Sequence, residues 1–73
     1  MTITVKDHDN ENYYISLDME KGYNFNFYYS VKCYYKIKSR DGCEYLRERE
    51  MSYPLSDKKK ALATFNRYKR KYV

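Results

Sequence analysis

The 73-residue chain is poor in the residues that catalysis, metal binding and cross-linking draw on. Its one histidine, His8, sits in Asp7-His8-Asp9-Asn10-Glu11-Asn12, which reads as a polar loop. That segment lacks the glycine and the ligand spacing of a calcium loop, and one imidazole beside carboxylates does not make a zinc site. With two glycines there is no glycine-rich phosphate loop, and no pair of carboxylates falls on an apolar face. Neither an enzyme nor a bound cofactor is expected. No apolar run approaches the ~20 residues that span a bilayer, and MTITVKDHD has no apolar signal-peptide core, so a cytoplasmic protein without membrane contact is expected. Cys33 and Cys43 are then expected as reduced thiols. Repeats, low-complexity stretches and linkers are missing too, which leaves one domain over 1–73, burying only ~60% of its unfolded surface.

What the chain has in quantity is tyrosine, 11 residues, within a composition that is 42% hydrophobic and 34% charged, too apolar for disorder. The apolar residues alternate: Ile3 and Val5, then Tyr13, Ile15, Leu17 and Met19, then the odd positions from Tyr23 to Ile37. The even positions between them are polar or tyrosine, the pattern of a half-buried antiparallel sheet. Fifteen residues of unbroken strand would run roughly 50 Å at ~3.3 Å each, too long for this domain. The alternation therefore breaks near Asn24 and Asn26, after a turn at Lys21-Gly22, and a regular strand follows from about Phe27 to Lys38.

Ser39-Arg40-Asp41-Gly42 has the residues of a type I turn, and reads as a three-residue hairpin loop with Gly42 left-handed. Pairing Ser39 with Cys43 places Lys38 opposite Glu44, Tyr34 opposite Glu48, Lys32 opposite Glu50, Val31 opposite Met51 and Ile37 opposite Tyr45. A one-residue slip would mix the faces. In this register Cys33 and Cys43 share a face but lie roughly 20 Å apart, too far to bridge. Arg47 and Arg49 are its misfits, since both land on the apolar side.

Pro54 ends the strands, Ser56 or Asp57 offers an N-cap, and DKKKALATFNRYKRKYV follows with Ala61, Phe65, Tyr68 and Tyr72 in one stripe flanked by Leu62. The expectation is an α+β domain: a four-stranded antiparallel β-meander over about 2–53, with an amphipathic helix over about 57–72 on its odd face.

Two surfaces stand out. Residues 57–73 hold seven Lys or Arg against Asp57, whereas 1–56 hold eight against nine acids. Lys59, Lys60, Arg67, Arg70 and Lys71 lie opposite the packing stripe, where they suit a phosphate backbone, an acidic protein or plain solvent. The even sheet face offers Tyr28, Tyr34, Lys32 and Lys36, a mix that anchors a protein interface, stacks bases or pairs across strands. Glu44, Glu48 and Glu50 on the adjacent strand argue against phosphates there.

In size, composition and the ending YPLSDKKKALATFNRYKRKY, the chain resembles the small orphan proteins of bacteriophages and mobile elements, of which anti-CRISPR proteins are the best known. The resemblance implies a stoichiometric inhibitor that docks on a host protein or nucleoprotein complex and blocks it. Basic charge speaks against a DNA mimic. The alternative is direct binding of a nucleic-acid backbone through the helix, and either function fits a monomer or a homodimer.

Overall fold

In the computed structural model, which describes residues 2–24 and 26–73, four strands pair antiparallel in chain order: β1 (Thr2–Asp9), β2 (Tyr13–Lys21), β3 (Phe27–Ser39) and β4 (Gly42–Pro54). A 3-10 turn over Leu55–Asp57 leads into the helix α1 (Lys58–Lys71). The fold is the expected ββββα meander, and the odd residues of β2 and β3 meet the helix stripe. Ile15, Leu17, Tyr29, Val31 and Cys33 from the sheet bury against Ala61, Phe65 and Tyr68. Tyr13, Met19, Tyr53, Leu62 and Tyr72 close the margins of this core.

Local chemistry sets the ends of these elements. The Asn10 side chain accepts hydrogen bonds from the backbone N–H groups of Asn12 and Tyr13, at 2.9 and 2.8 Å, which closes the β1–β2 turn. Its amide also donates to the Tyr72 carbonyl at 3.0 Å, tying that turn to the end of α1. Gly22 N–H donates to the Asn26 carbonyl at 2.7 Å across the β2–β3 turn, so β3 begins at Phe27 as expected. At the other end of the molecule the Tyr53 and Thr64 hydroxyls share a 2.6 Å hydrogen bond beneath the first turns of the helix. Asp57 holds the N-cap position without a side-chain cap bond, while Lys69, Arg70 and Lys71 in the last turn complement the helix dipole.

The β2–β3 pairing is regular over nine residue pairs, from Tyr13↔Tyr35 to Lys21↔Phe27. Both outer strands carry a bulge. In β1 the register shifts between Thr4 and Lys6, so Val5 is extra and Lys6 and His8 oppose Leu17 and Ile15 on the helix side. His8 therefore belongs to a strand, half-buried, and not to the loop in which the sequence reading put it. In β4, Lys32↔Glu50 and Val31↔Met51 pair as expected, but Glu48 is bulged and every pair beyond it slips by one. Tyr34 lies opposite Arg47, Ile37 opposite Glu44, Lys38 opposite Cys43 and Ser39 opposite Gly42. The expected partners Glu48, Tyr45, Glu44 and Cys43 are each displaced, and the hairpin loop has two residues, Arg40 and Asp41, not three.

The slip exchanges the faces of the hairpin end. Tyr45, Arg47 and Cys43 move to the side away from the helix, and Glu44 and Leu46 come to the helix side. Cys33 and Cys43 thus lie on opposite faces, and both thiols are free. Only one of the two arginines that misfit the expected register stays on the helix side: Arg49, whose Nε donates to the Tyr72 hydroxyl at 3.3 Å. Beyond the last turn of α1 the β3–β4 arm runs on uncovered, in a molecule 41 × 25 × 16 Å, and leaves Tyr35, Ile37 and Leu46 exposed together on the helix side.

Candidate binding surfaces

The sheet face away from the helix is built from Asp7 and Asp9 of β1, Tyr14, Ser16, Asp18 and Glu20 of β2, the even residues of β3, and Tyr45, Arg47 and Glu50 of β4. Its two halves differ. Toward the β2–β3 turn the side chains pair among themselves: Lys32 bridges to Glu20 and lies 3.8 Å from Asp18, and the Tyr28 hydroxyl donates to Glu20 at 2.9 Å. Ser30 donates to Glu50 at 3.2 Å, and Arg47 reaches the same carboxylate at 2.6 Å. These long side chains lie across the small ones, so Ser16, Asp18 and Ser30 are buried although no other element covers them. One oxygen of Asp18 has no hydrogen-bond partner beneath this layer.

Titration follows from that pairing. Burial is the largest single influence and works against the charged forms of Lys32 and Glu20, but their hydrogen bond and charge attraction, with the Tyr28 hydroxyl on Glu20, together exceed it, so Lys32 is held above its ordinary value and Glu20 below. The hydrogen bond to Asp9 likewise raises Lys36, whose ammonium also donates to the Asn10 carbonyl at 2.6 Å. Lys32 and Lys36, the partner-binding candidates of the sequence pattern, are both held in ion pairs within the chain. Tyr28 is engaged as well, through Glu20.

The other half is aromatic. Tyr14, Tyr34 and Tyr45 converge with ring centroids 6.2 to 6.3 Å apart, the Tyr34–Tyr45 and Tyr14–Tyr45 pairs edge to face. They line an open depression of about 470 Å³. The Tyr14 hydroxyl is held by Asp7 at 3.2 Å, and Tyr45 is 56% exposed. Of the three, the sequence reading singled out only Tyr34. Tyr14 was visible as an even residue of β2, but Tyr45 reaches this face solely because of the Glu48 bulge. The available signal was the misfit of Arg47, which the same bulge removes.

On the opposite side, α1 presents its cations. Lys59, Lys60, Arg67, Arg70 and Lys71 are exposed, as expected. Arg67 lies 5.9 Å from the Tyr68 ring centre and Lys71 5.5 Å from that of Tyr72, each covering an aromatic edge of the core. The Lys69 and Lys6 ammonium groups lie 5.9 and 5.7 Å from the centre of the Phe65 ring. None of the ion pairs among the described residues includes a helix cation. The molecule is therefore polarised, with an uncompensated basic helix on one side and a charge-paired sheet with a tyrosine cluster on the other.

No cluster of three or more His, Cys, Asp or Glu suited to a metal ion occurs among the described residues, and no helix among them is long and apolar enough to cross a membrane. Comparison with protein-family models, curated proteins and solved structures finds no match for this chain.

Proposed function

We propose that the protein is a stoichiometric binding domain that docks on a larger protein or nucleoprotein partner through the open sheet face, with Tyr14, Tyr34 and Tyr45 as its anchor. The observation that carries this reading is the three-ring cluster beside a network of paired charges. That is the anatomy of an interface with an aromatic centre and a polar rim, and tyrosine gives large contact area at low entropy. Such a domain acts by occupying a surface, the mode that the resemblance to small phage inhibitors implies. A second reading, contact with a phosphate backbone, is favoured by the exposed helix cations that no acid in the chain neutralises.

Two double variants separate the readings. Tyr34→Ala with Tyr45→Ala removes the anchor, and capture from a lysate treated with nuclease should then lose the protein partner that the parent retains. Arg67→Glu with Arg70→Glu should leave that capture in place and alter only its rate of association and salt dependence. Retention by a double-stranded oligonucleotide of arbitrary sequence, weakening steeply with salt and abolished by the arginine pair alone, would reverse the order of the two readings.

A further inference from the structure

β4 is an edge strand of 13 residues, and every residue from Gly42 to Ser52 is exposed. An edge of that length offers a row of backbone donors and acceptors to another strand unless charges of one sign, proline or a bulge blunt it, and β4 has one bulge, at Glu48. β4 has no lysine, and its single proline, Pro54, is its last residue. At its centre stands Arg47-Glu48-Arg49-Glu50, which is charge-complementary to itself when read antiparallel.

We infer that two copies of the chain join β4 to β4 antiparallel, about a two-fold axis between Glu48 and Arg49. In this register Arg47 lies opposite Glu50 of the second copy, and Glu48 opposite Arg49, each pair occurring twice by symmetry. Leu46 then lies opposite Met51, and Tyr45 opposite Ser52. The faces agree. A regular strand keeps like faces together only when the paired residue numbers sum to an even value, because side chains alternate. The Glu48 bulge breaks that alternation once, so an odd sum is required across it, and the charge-matched register has an odd sum. Arg47 and Glu50 both lie on the open face, where they already form an ion pair within the chain. Leu46 and Met51 both lie on the helix side. Arg49, paired with Cys33, lies on the helix side, and Glu48 is the bulged residue between it and Arg47.

Apolar contact supports the same register. Leu46 and Met51 are 53% and 43% exposed, and Met51 lines a groove of about 270 Å³ between β4 and α1 together with Tyr68, Tyr72 and the cations Arg49, Arg67 and Lys71. The two-fold sets Leu46 of each copy beside the groove of the other. Each basic helix packs across β2, β3 and β4 on the same side of the joined sheet, so the two helix axes stand roughly 14 Å apart at ~4.8 Å per strand. That exceeds the ~8 Å screening length at physiological salt, so their repulsion is weakened there and opposes the pairing more strongly at low salt.

Sedimentation and light scattering on the full chain read the result directly: the dimer has twice the 9.0 kDa chain mass. One variant carries Arg47→Glu and Arg49→Glu, and a second carries Glu48→Arg and Glu50→Arg. Each alone should run as a monomer, and an equimolar mixture should recover the dimer. Circular dichroism verifies that both fold. A cross-link supplies a test at exposed positions that leaves the charges intact. In a Cys43→Ser background, Leu46→Cys mixed with Met51→Cys should form an intermolecular disulfide on mild oxidation. Neither variant alone should, because like positions lie about 17 Å apart at ~3.4 Å per residue. A parent that stays monomeric at ~1 mM, where even a millimolar association is about half formed, overturns the inference. So does a mixture that fails to dimerise when both variants are folded, or a disulfide that forms equally in the unmixed samples.

Discussion

Phe65→Ala is the sharpest test of how the helix is held. The Phe65 ring is 1% exposed and sits in the core with side chains of β2 and β3, the Lys6 and Lys69 ammonium groups within 6 Å of its centre. Truncation removes the ring's burial and leaves a cavity that flanking residues on a regular pair of strands fill poorly, a loss of about 3 to 5 kcal/mol. A 73-residue domain has a total stability of about 4 to 11 kcal/mol at ~0.05 to 0.15 kcal/mol per residue, so this single change consumes about a quarter of it or more. At ~4 to 8 °C per kcal/mol for a domain of this size, the melting temperature should fall by at least ~12 °C. Urea titration followed by far-ultraviolet circular dichroism gives the free energy, with Leu62→Ala, at a half-buried position of the same helix, expected to lose about 1 to 2 kcal/mol. Equal midpoints for parent and Phe65→Ala would refute the packing of α1 on the β2–β3 pair.

Two further changes probe other parts of the chain. Burial, with Glu48, pushes the Cys33 thiol from 9.0 up to about 11, so the folded chain keeps a proton that the unfolded chain loses. Its contribution is complete below pH 9 and is lost as the pH rises toward 11, up to about 2.7 kcal/mol at ~1.36 kcal/mol per unit. Urea midpoints measured across that window should fall less steeply in Cys33→Ala than in the parent. Gly42 has φ +140°, and a Cβ there would meet no atom within 4 Å, so Gly42→Ala should lose about 1 to 3 kcal/mol by backbone strain alone. A neutral effect in the same urea assay would contradict that backbone conformation.

The elements were legible because their signals are local and repeated. Period-two alternation from Tyr13 to Met19 and from Phe27 to Ile37, a turn at Gly22, and the stripe Ala61, Phe65, Tyr68 and Tyr72 all specify faces that must be buried together. The regular β2–β3 register and the packing side of the helix follow from these. The outer strands were less legible because one bulge carries no residue signature of its own. Glu48 is an ordinary strand glutamate in the sequence, and only the sum of pairings along β4 shows that it has no partner in β3. The preference for a three-residue loop at Ser39–Gly42 was reasonable turn chemistry, but it carried its error into every pair between the loop and the bulge. Tyr45, the most exposed member of the aromatic cluster, was therefore assigned to the wrong face, and Arg47 with it. The cations of α1 were placed correctly because helix periodicity has no such frame to lose.

Both irregularities fall on the margins of the sheet, at Val5 and Glu48, while the central pair of strands runs without interruption. Length changes and face changes are thereby separated. Removing Glu48 joins two stretches of pairing that already agree with their partners, so the strand shortens without any side chain changing sides. A residue gained or lost elsewhere in the outer half of β4 would instead exchange which residues of the arm look toward the helix and which away from it, at no expense to Ile15, Val31 or Phe65. A lineage carrying this fold can thus redraw its outward surface by single-codon insertions and deletions, a larger step than substitution and one that most buried strands do not tolerate.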